Sequence, residues 1–299
     1  MGRAFESRRG HSNGNDFHRC RFLLYNSNWR IFVAKKQILL TNDDGILSPG
    51  LWAAAEALSH LGFVTVVAPR EQSSGMGRSL PAASDGIIRE ETIQVGGQSW
   101  KAYAVGGSPA QAVLHALLEI LPQKPDLVVS GINYGENLAA GITVSGTVGA
   151  AMEAAASGLP ALAVSLETDK IHHLSYSTAI DFSSAAHFTA RFAQMILERG
   201  LPAGMDLLKI DLPAEATSQT PWVWTRLSHQ RYYRPTRPER DSWLQPGTVG
   251  YELAPNLQEE PDDSDVFTLL KKRLVSVTPL TLDFTARVAP AELARVFGH

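Results

Sequence analysis

From residue 37 onward the chain alternates short apolar runs with longer stretches in which apolar residues return every three or four positions. Ile38-Leu39-Leu40 has the character of a buried strand, and Thr41-Asn42-Asp43-Asp44-Gly45 is loop chemistry. Residues 51–61 then place Leu51, Ala54, Ala55, Leu58 and Leu61 on one helical face. Phe63-Val64-Thr65-Val66-Val67-Ala68-Pro69 is apolar without alternation, as in a parallel strand covered on both sides. Residues 70–98 are rich in Gly and Ser and break into short alternating segments, which predicts a loop with a small β excursion. Helical spacing returns after Ser108-Pro109 through Ala112, Val113, Ala116, Leu117 and Ile120, with proline in the first turn, where its missing N–H costs nothing.

Asp126-Leu127-Val128-Val129-Ser130 is a further buried strand, opening into a Gly- and Asn-rich loop over residues 131–141. An Ala-rich helix follows Val144-Ser145-Gly146-Thr147 and stops near Ser157, ahead of Gly158 and Pro160. Ala161-Leu162-Ala163-Val164-Ser165 is another strand, and residues 179–198 form a long amphipathic helix. This alternation predicts an α/β fold: a three-layer, doubly wound, mostly parallel sheet of Rossmann-like type. Beyond residue 207 the pattern changes to short strands, aromatics and prolines, as in Trp222-Val223-Trp224 and Arg231-Tyr232-Tyr233, with an acidic stretch at 259–265. Three parts follow: an N-terminal extension over 1–36, a Rossmann-like catalytic core over 37–206, and a β-rich C-terminal extension over 207–299 that leaves the main sheet.

The extension 1–36 carries eight Arg and Lys against Glu6 and Asp16 and shows no period, so it is expected to be disordered. A transit peptide would share this composition, whereas a secretory signal would need an apolar segment that is missing. An upstream start codon fits better than either, because Val33-Ala34-Lys35-Lys36 leads directly into a strand. Elsewhere the balance is ordinary, with 27 Lys and Arg against 30 Asp and Glu, so no global charge draws the chain to a nucleic acid duplex or a membrane. Cys20 is the only cysteine, which excludes an internal disulfide framework and multi-cysteine zinc sites and points to the cytoplasm. No apolar run approaches the ~20 residues needed to span a bilayer.

In open α/β sheets ligands bind outside the carboxyl ends of the strands, so the loops there carry the chemistry. The first holds the adjacent carboxylates Asp43 and Asp44, the second Ser73 and Ser74, and the third Asn133 and Asn137. Oxygen donors of this kind suit a hard divalent cation. Taken alone, Asn-Asp-Asp-Gly is turn chemistry and the serines and asparagines are loop formers. Their joint placement after three parallel strands is what favours a metal site. Ser145-Gly146-Thr147 opens a helix, where Ser145 can act as a plain N-cap or share in an anion site with the free N–H groups. No Walker-type loop, dinucleotide-binding glycine pattern or nucleophile elbow occurs in a strand-to-helix context. His172-His173 lies in a polar segment and is expected at the surface.

These blocks resemble the SurE survival-protein family of 5′/3′-nucleotidases. The resemblance runs from residue 37 to about 285 and rests on Ile38-Leu-Leu-Thr-Asn-Asp-Asp-Gly-Ile46, Val66-Val-Ala-Pro69 with Ser74, and Gly107-Ser-Pro-Ala110. It continues through Asp126-Leu-Val-Val-Ser-Gly-Ile-Asn133, Ser145-Gly-Thr-Val148 and Val275-Ser-Val-Thr-Pro-Leu280. It implies one divalent ion per subunit, Mg²⁺ or Mn²⁺, held by Asp43, Asp44, Ser74 and Asn133. It further implies phosphate contacts from Asn137, Ser145, Gly146 and Thr147, nucleoside monophosphate or short polyphosphate substrates, and a homodimer or homotetramer that exchanges C-terminal elements. The implied mechanism is in-line attack of a metal-activated water, with Asp43 or Asp44 orienting it. Gln111 and Lys272-Arg273-Leu274 depart from the family's usual residues. Two other readings use the same sequence: a non-catalytic nucleotide- or phosphate-binding sensor, and a haloacid-dehalogenase-type phosphatase, which would need Asp-x-Asp in place of adjacent carboxylates.

Overall fold

Ile38, Leu39 and Leu40 are excluded from solvent, and the pleat sends Ile38 and Leu40 to one face and Leu39 to the other. A strand that is apolar on both faces must be covered on both, so β1 (Lys36–Thr41) lies inside a sheet. The computed structural model describes residues 35–173, 176–254 and 259–298; the expectations for residues 1–34 lie outside the described residues. Lys36, assigned from sequence to the extension, opens β1.

Among the described residues the sheet has nine strands. On one side of β1 lie β2 (Gly62–Pro69), β4 (Gln98–Val105) and the outermost β3 (Ile88–Val95). On the other lie β5 (Leu127–Tyr134), β6 (Ala161–Leu166), β7 (Leu207–Leu212), β11 (Val275–Leu280) and β8 (Trp222–Trp224). All neighbours from β4 through β7 are parallel, while β3 and β11 run antiparallel to β4 and β7. Helices α1 (Pro49–Leu58) and α4 (Ser183–Arg199) cover the face of Ile38 and Leu40. Helices α2 (Pro109–His115) and α3 (Gly146–Ala156) cover the face of Leu39. The three-layer expectation holds. The strand order reverses between β1 and β5, so the crevice lies outside their carboxyl ends.

Three boundaries differ from the sequence reading. Helix α1 runs from Pro49 to Leu58, where residues 51–61 were expected, because Pro49 occupies its first turn. The β excursion is the hairpin β3–β4, and β4 joins the main sheet beside β2. The main sheet also runs past residue 206, since β7, β8 and β11 belong to it. Outside it stand the antiparallel ribbon of β9 (Tyr233–Thr236) and β10 (Gly250–Leu253), the short helix α5 (Asp265–Phe267) and the terminal helix α6 (Pro290–Phe297).

The charges of β7 disguise it in sequence. Lys209 and Asp211 are wholly buried, and Lys209 donates to Asp211 and, at 3.3 Å, to Asp265 of α5. The remaining carboxylate oxygens meet backbone donors, Asn137 N–H at 2.7 Å from Asp211 and Ser228 N–H at 2.9 Å from Asp265, while Ala139 N–H, also at 2.9 Å, shares with Lys209 the other Asp265 oxygen. Burial pushes the Asp211 carboxyl up to about 6 against the pull of Lys209. This triad ties the C-terminal segment to the loop after β5. Removing one member leaves an uncompensated buried charge, so Lys209→Ala is expected to lower unfolding free energy by about 3–5 kcal/mol in denaturant titration. A loss below about 1 kcal/mol would contradict the role assigned to the triad.

Candidate active site

The tight turn after β1 is made by Asn42, whose side chain accepts from Gly45 N–H at 3.2 Å and donates to Gly45 carbonyl at 3.1 Å. Because Asn42 fulfils the turn, Asp43 and Asp44 are free for other work. Both are buried, at 4% and 1% exposure. The cause is the crowd of neighbouring loops. Ser73 N–H bonds the Asp43 carbonyl at 2.7 Å, and Thr147 hydroxyl donates to Asp43 Oδ1. Tyr134 N–H donates to Asp44 Oδ2 at 3.2 Å, with Gln72 Nε2 at 3.4 Å from Oδ1.

Burial pushes both carboxyls up, and for Asp44 the Asp43 charge adds to it. Thr147 hydroxyl and the backbone amides of Thr147 and Gly146 pull Asp43 down. The start of α3 is therefore aimed at Asp43. Ser145 caps that helix, accepting from Val148 N–H at 3.1 Å. Gly146 is required by close approach: a Cβ there would lie 2.6 Å from Asp43 Cβ. Among the described residues no Lys, Arg or His pairs with either carboxylate.

Strand β5 delivers the third donor. Its register against β6 shifts between Ser130 and Asn133, and Gly131, at φ +131°, lies where a Cβ would come within 2.3 Å of the Val164 carbonyl. The bulge brings Asn133 into the crevice. Asn133 Nδ2 donates to the carbonyls of Gly135 at 2.6 Å and Tyr134 at 3.3 Å, which directs Oδ1 the other way. Asp43, Ser74, Asn133, Asn137 and Ser145 line one cavity of about 280 Å³. Asp44, Gly146 and Thr147 are not among its lining residues; Gly146 and Thr147 instead pack against Asp43. Asn137 Nδ2 is held by Ser165 Oγ at 2.8 Å. The donor set, two carboxylates with an amide oxygen and a hydroxyl, fits a hard divalent cation.

Sequence reading missed other residues of this region. His173, expected at the surface, lines the cavity with Glu136 and Tyr251 and stacks on Tyr251 at 6.4 Å between centroids. Burial pushes the His173 imidazole down, so it is neutral at pH 7. It sits in the loop after β6, at a strand carboxyl end, and that position was the available signal. Glu136, in the loop after β5, shares that signal, whereas the tyrosines of β9 and β10 carry none, since they reach the crevice only on folding. The two departures from the family pattern have structural roles. Gln111 completes the capping box of α2 with Ser108, and Arg273, at φ +53°, pairs with Glu167 and Glu215.

An open α/β sheet with an acidic, oxygen-lined crevice at its switch point defines a class of proteins that bind their ligands outside the carboxyl ends of the strands. Within that class, residues 38–234 match the family described as survival protein SurE. The chain is 45% identical over 266 residues to "5′-nucleotidase SurE" of Thermococcus gammatolerans, covering 88% of this chain and 97% of that protein. It is 41% identical over 271 residues to the protein of the same name from Methanocella arvoryzae, covering 87% and 97%. The crystal structure of SurE from Aquifex aeolicus superposes with a TM-score of 0.68 at 30% identity, covering 87% of this chain and 98% of that one. The chain belongs to the SurE family.

The raised Asp44 carboxyl yields a stability test. Its charged form is disfavoured by folding, so at pH 7 in EDTA burying this carboxyl costs stability. Asp44→Asn is expected to raise the melting temperature by about 2–4 °C there. The difference should close as pH falls below about 4, where the wild-type carboxyl is protonated in the folded and unfolded chains alike. A melting temperature several degrees below wild type at pH 7 would show that the pair is not strained.

Proposed function

We propose that the chain is a divalent-cation-dependent phosphatase that hydrolyses nucleoside 5′-monophosphates, with 3′-monophosphates and short polyphosphate as further substrates. The observation that carries this reading is the buried Asp43–Asp44 pair, without a basic partner among the described residues, with Asp43 opening on a cavity that Ser74, Asn133, Asn137 and Ser145 also line. The names of the curated relatives support the nucleotide monophosphate as substrate.

Asp43, Asp44, Ser74 and Asn133 would hold one Mg²⁺ or Mn²⁺. When bound, the ion supplies charge neutralisation at the phosphoryl oxygens and a lowered pKa for water. The chain's own groups do the rest. Thr147 and Tyr134 fix the carboxylates. Asn137 and Ser145 line the cavity wall from which a phosphate oxygen can be held, preorganised by Ser165 and by the helix cap. The amides of Gly146 and Thr147 pull the Asp43 carboxyl down against the effect of burial and add positive potential at the helix start. A cytoplasmic setting accords with the lone cysteine; among the described residues no helix is long and apolar enough to cross a membrane.

Release of phosphate from AMP and p-nitrophenyl phosphate, with Mg²⁺ or Mn²⁺ and with EDTA, tests this reading. Turnover is expected with the ions and not with EDTA. Asp43→Ala should lower kcat by roughly 10²–10³-fold or more, the scale for losing a preorganised electrostatic group. AMP binding with no phosphate released under any divalent ion would favour a non-catalytic sensor.

The assembly belongs to the same proposal. Trp243, Leu244, Phe284 and Phe297 are each more than 70% exposed, on the segments around β9–β10 and α6. Such apolar surface is suited to burial against a second copy, as a homodimer or homotetramer exchanging these elements. Light scattering of the intact chain should give at least twice the 32.5 kDa of one chain. A monomer would contradict it.

A further inference from the structure

Beside the cavity over Asp43 lies a second and larger one, of about 550 Å³. Glu136, His173 and Tyr251 belong to the walls of both, so the two meet along these side chains. The larger cavity is walled by Tyr232, Tyr233 and Tyr251. Tyr233 and Tyr251 pack edge to face at 5.2 Å.

Glu136 stands at the junction and is 6% exposed. Its Oε1 accepts from Tyr233 hydroxyl at 2.6 Å. Tyr232 approaches the same carboxylate, yet Oε2 is buried without a well-formed hydrogen bond among the described residues. The basic groups of the larger cavity are committed elsewhere. Lys170 donates to the Tyr251 carbonyl and covers the Tyr251 ring at 4.2 Å, and Arg273 pairs with Glu167 and Glu215. A buried acceptor left over in this way calls for donors from a ligand.

We propose that Glu136 reads the sugar of a nucleotide, its free oxygen accepting from the 2′,3′-hydroxyl edge of the ribose while the base enters the tyrosine-walled cavity. This rests on the phosphatase reading, and it adds which part of the substrate each cavity takes. A 5′-monophosphate carries phosphate, sugar and base in that order. Along the crevice the order is Asp43 and Ser145, then Glu136, then the tyrosines. Hydroxyl groups are neutral donors, matched to a carboxylate that pairs with no Lys or Arg among the described residues. Aromatic walls suit any base, since every base has a π face. Burial pushes the Glu136 carboxyl up and Tyr233 holds it down, so donors at Oε2 would further favour its ionised form.

The test compares adenosine with 2′,3′-dideoxyadenosine by calorimetric binding, and AMP with 2′,3′-dideoxy-AMP by kcat/KM with Mn²⁺, in wild type and Glu136→Gln. Wild type should prefer the ribo compound by roughly tenfold or more in both measurements, the scale of a hydrogen bond to a charged group. Glu136→Gln should bring that ratio down several-fold toward one. Equal handling of the two compounds by wild type overturns the assignment, as does a preference that survives Glu136→Gln or the absence of any nucleoside binding or nucleotide preference. Nucleoside discrimination without phosphate release from AMP would keep the subsite and sink the phosphatase reading. AMP hydrolysis without discrimination would do the reverse.

Discussion

Two carboxylates adjacent in sequence and almost wholly removed from water form the constraint around which the crevice is organised. Burial and mutual repulsion both oppose their ionisation. The chain answers with neutral dipoles: Thr147 hydroxyl and the start of α3 at Asp43, and the Tyr134 amide with the Gln72 side chain at Asp44. Dipoles fix the orientation of the pair without cancelling its charge. That leaves a site that can gain from a cation, which is the condition a metal centre needs.

The fold places each contributor by a local device. Asn42 closes the turn so that the aspartates need not. The Gly131 bulge breaks the register of β5 and brings Asn133 to the opening. Gly146 lets α3 start against Asp43, where any side chain would collide. The Lys209 triad then anchors the loop bearing Asn137 and Ala139 to the C-terminal segment. Through it, residues far along the chain help to shape the crevice. The same segment carries the tyrosine walls of the larger cavity.

The parallel sheet was legible because its central strands are continuous apolar runs, and the site because Asp43, Asp44 and Asn133 follow such runs closely while Ser145 opens a helix. The rest was hidden for physical reasons. Strand β7 carries Lys209 and Asp211, which look like surface residues until Asp265 arrives from 54 positions later to complete their pairing. Strand β4 opens on Gln98-Ser99 and carries Lys101, so it lacks the continuous apolar run of the central strands although it pairs with β2. His173, Glu136, Tyr233 and Tyr251 come from segments without a regular period, and only tertiary packing brings them together. Hydrophobic periodicity reports which residues are covered. It says little about which polar groups meet.

The central claim is that the Asp43–Asp44 pair, completed by Ser74 and Asn133, is a divalent-cation site. Mn²⁺ titration of the metal-stripped protein, followed by the loss of the free-ion paramagnetic resonance signal, tests it without recourse to turnover. The account predicts one saturable ion per chain, with binding abolished in Asp43→Asn and in Asp44→Asn while each variant keeps a cooperative unfolding transition. Undiminished one-to-one binding in either variant would contradict it.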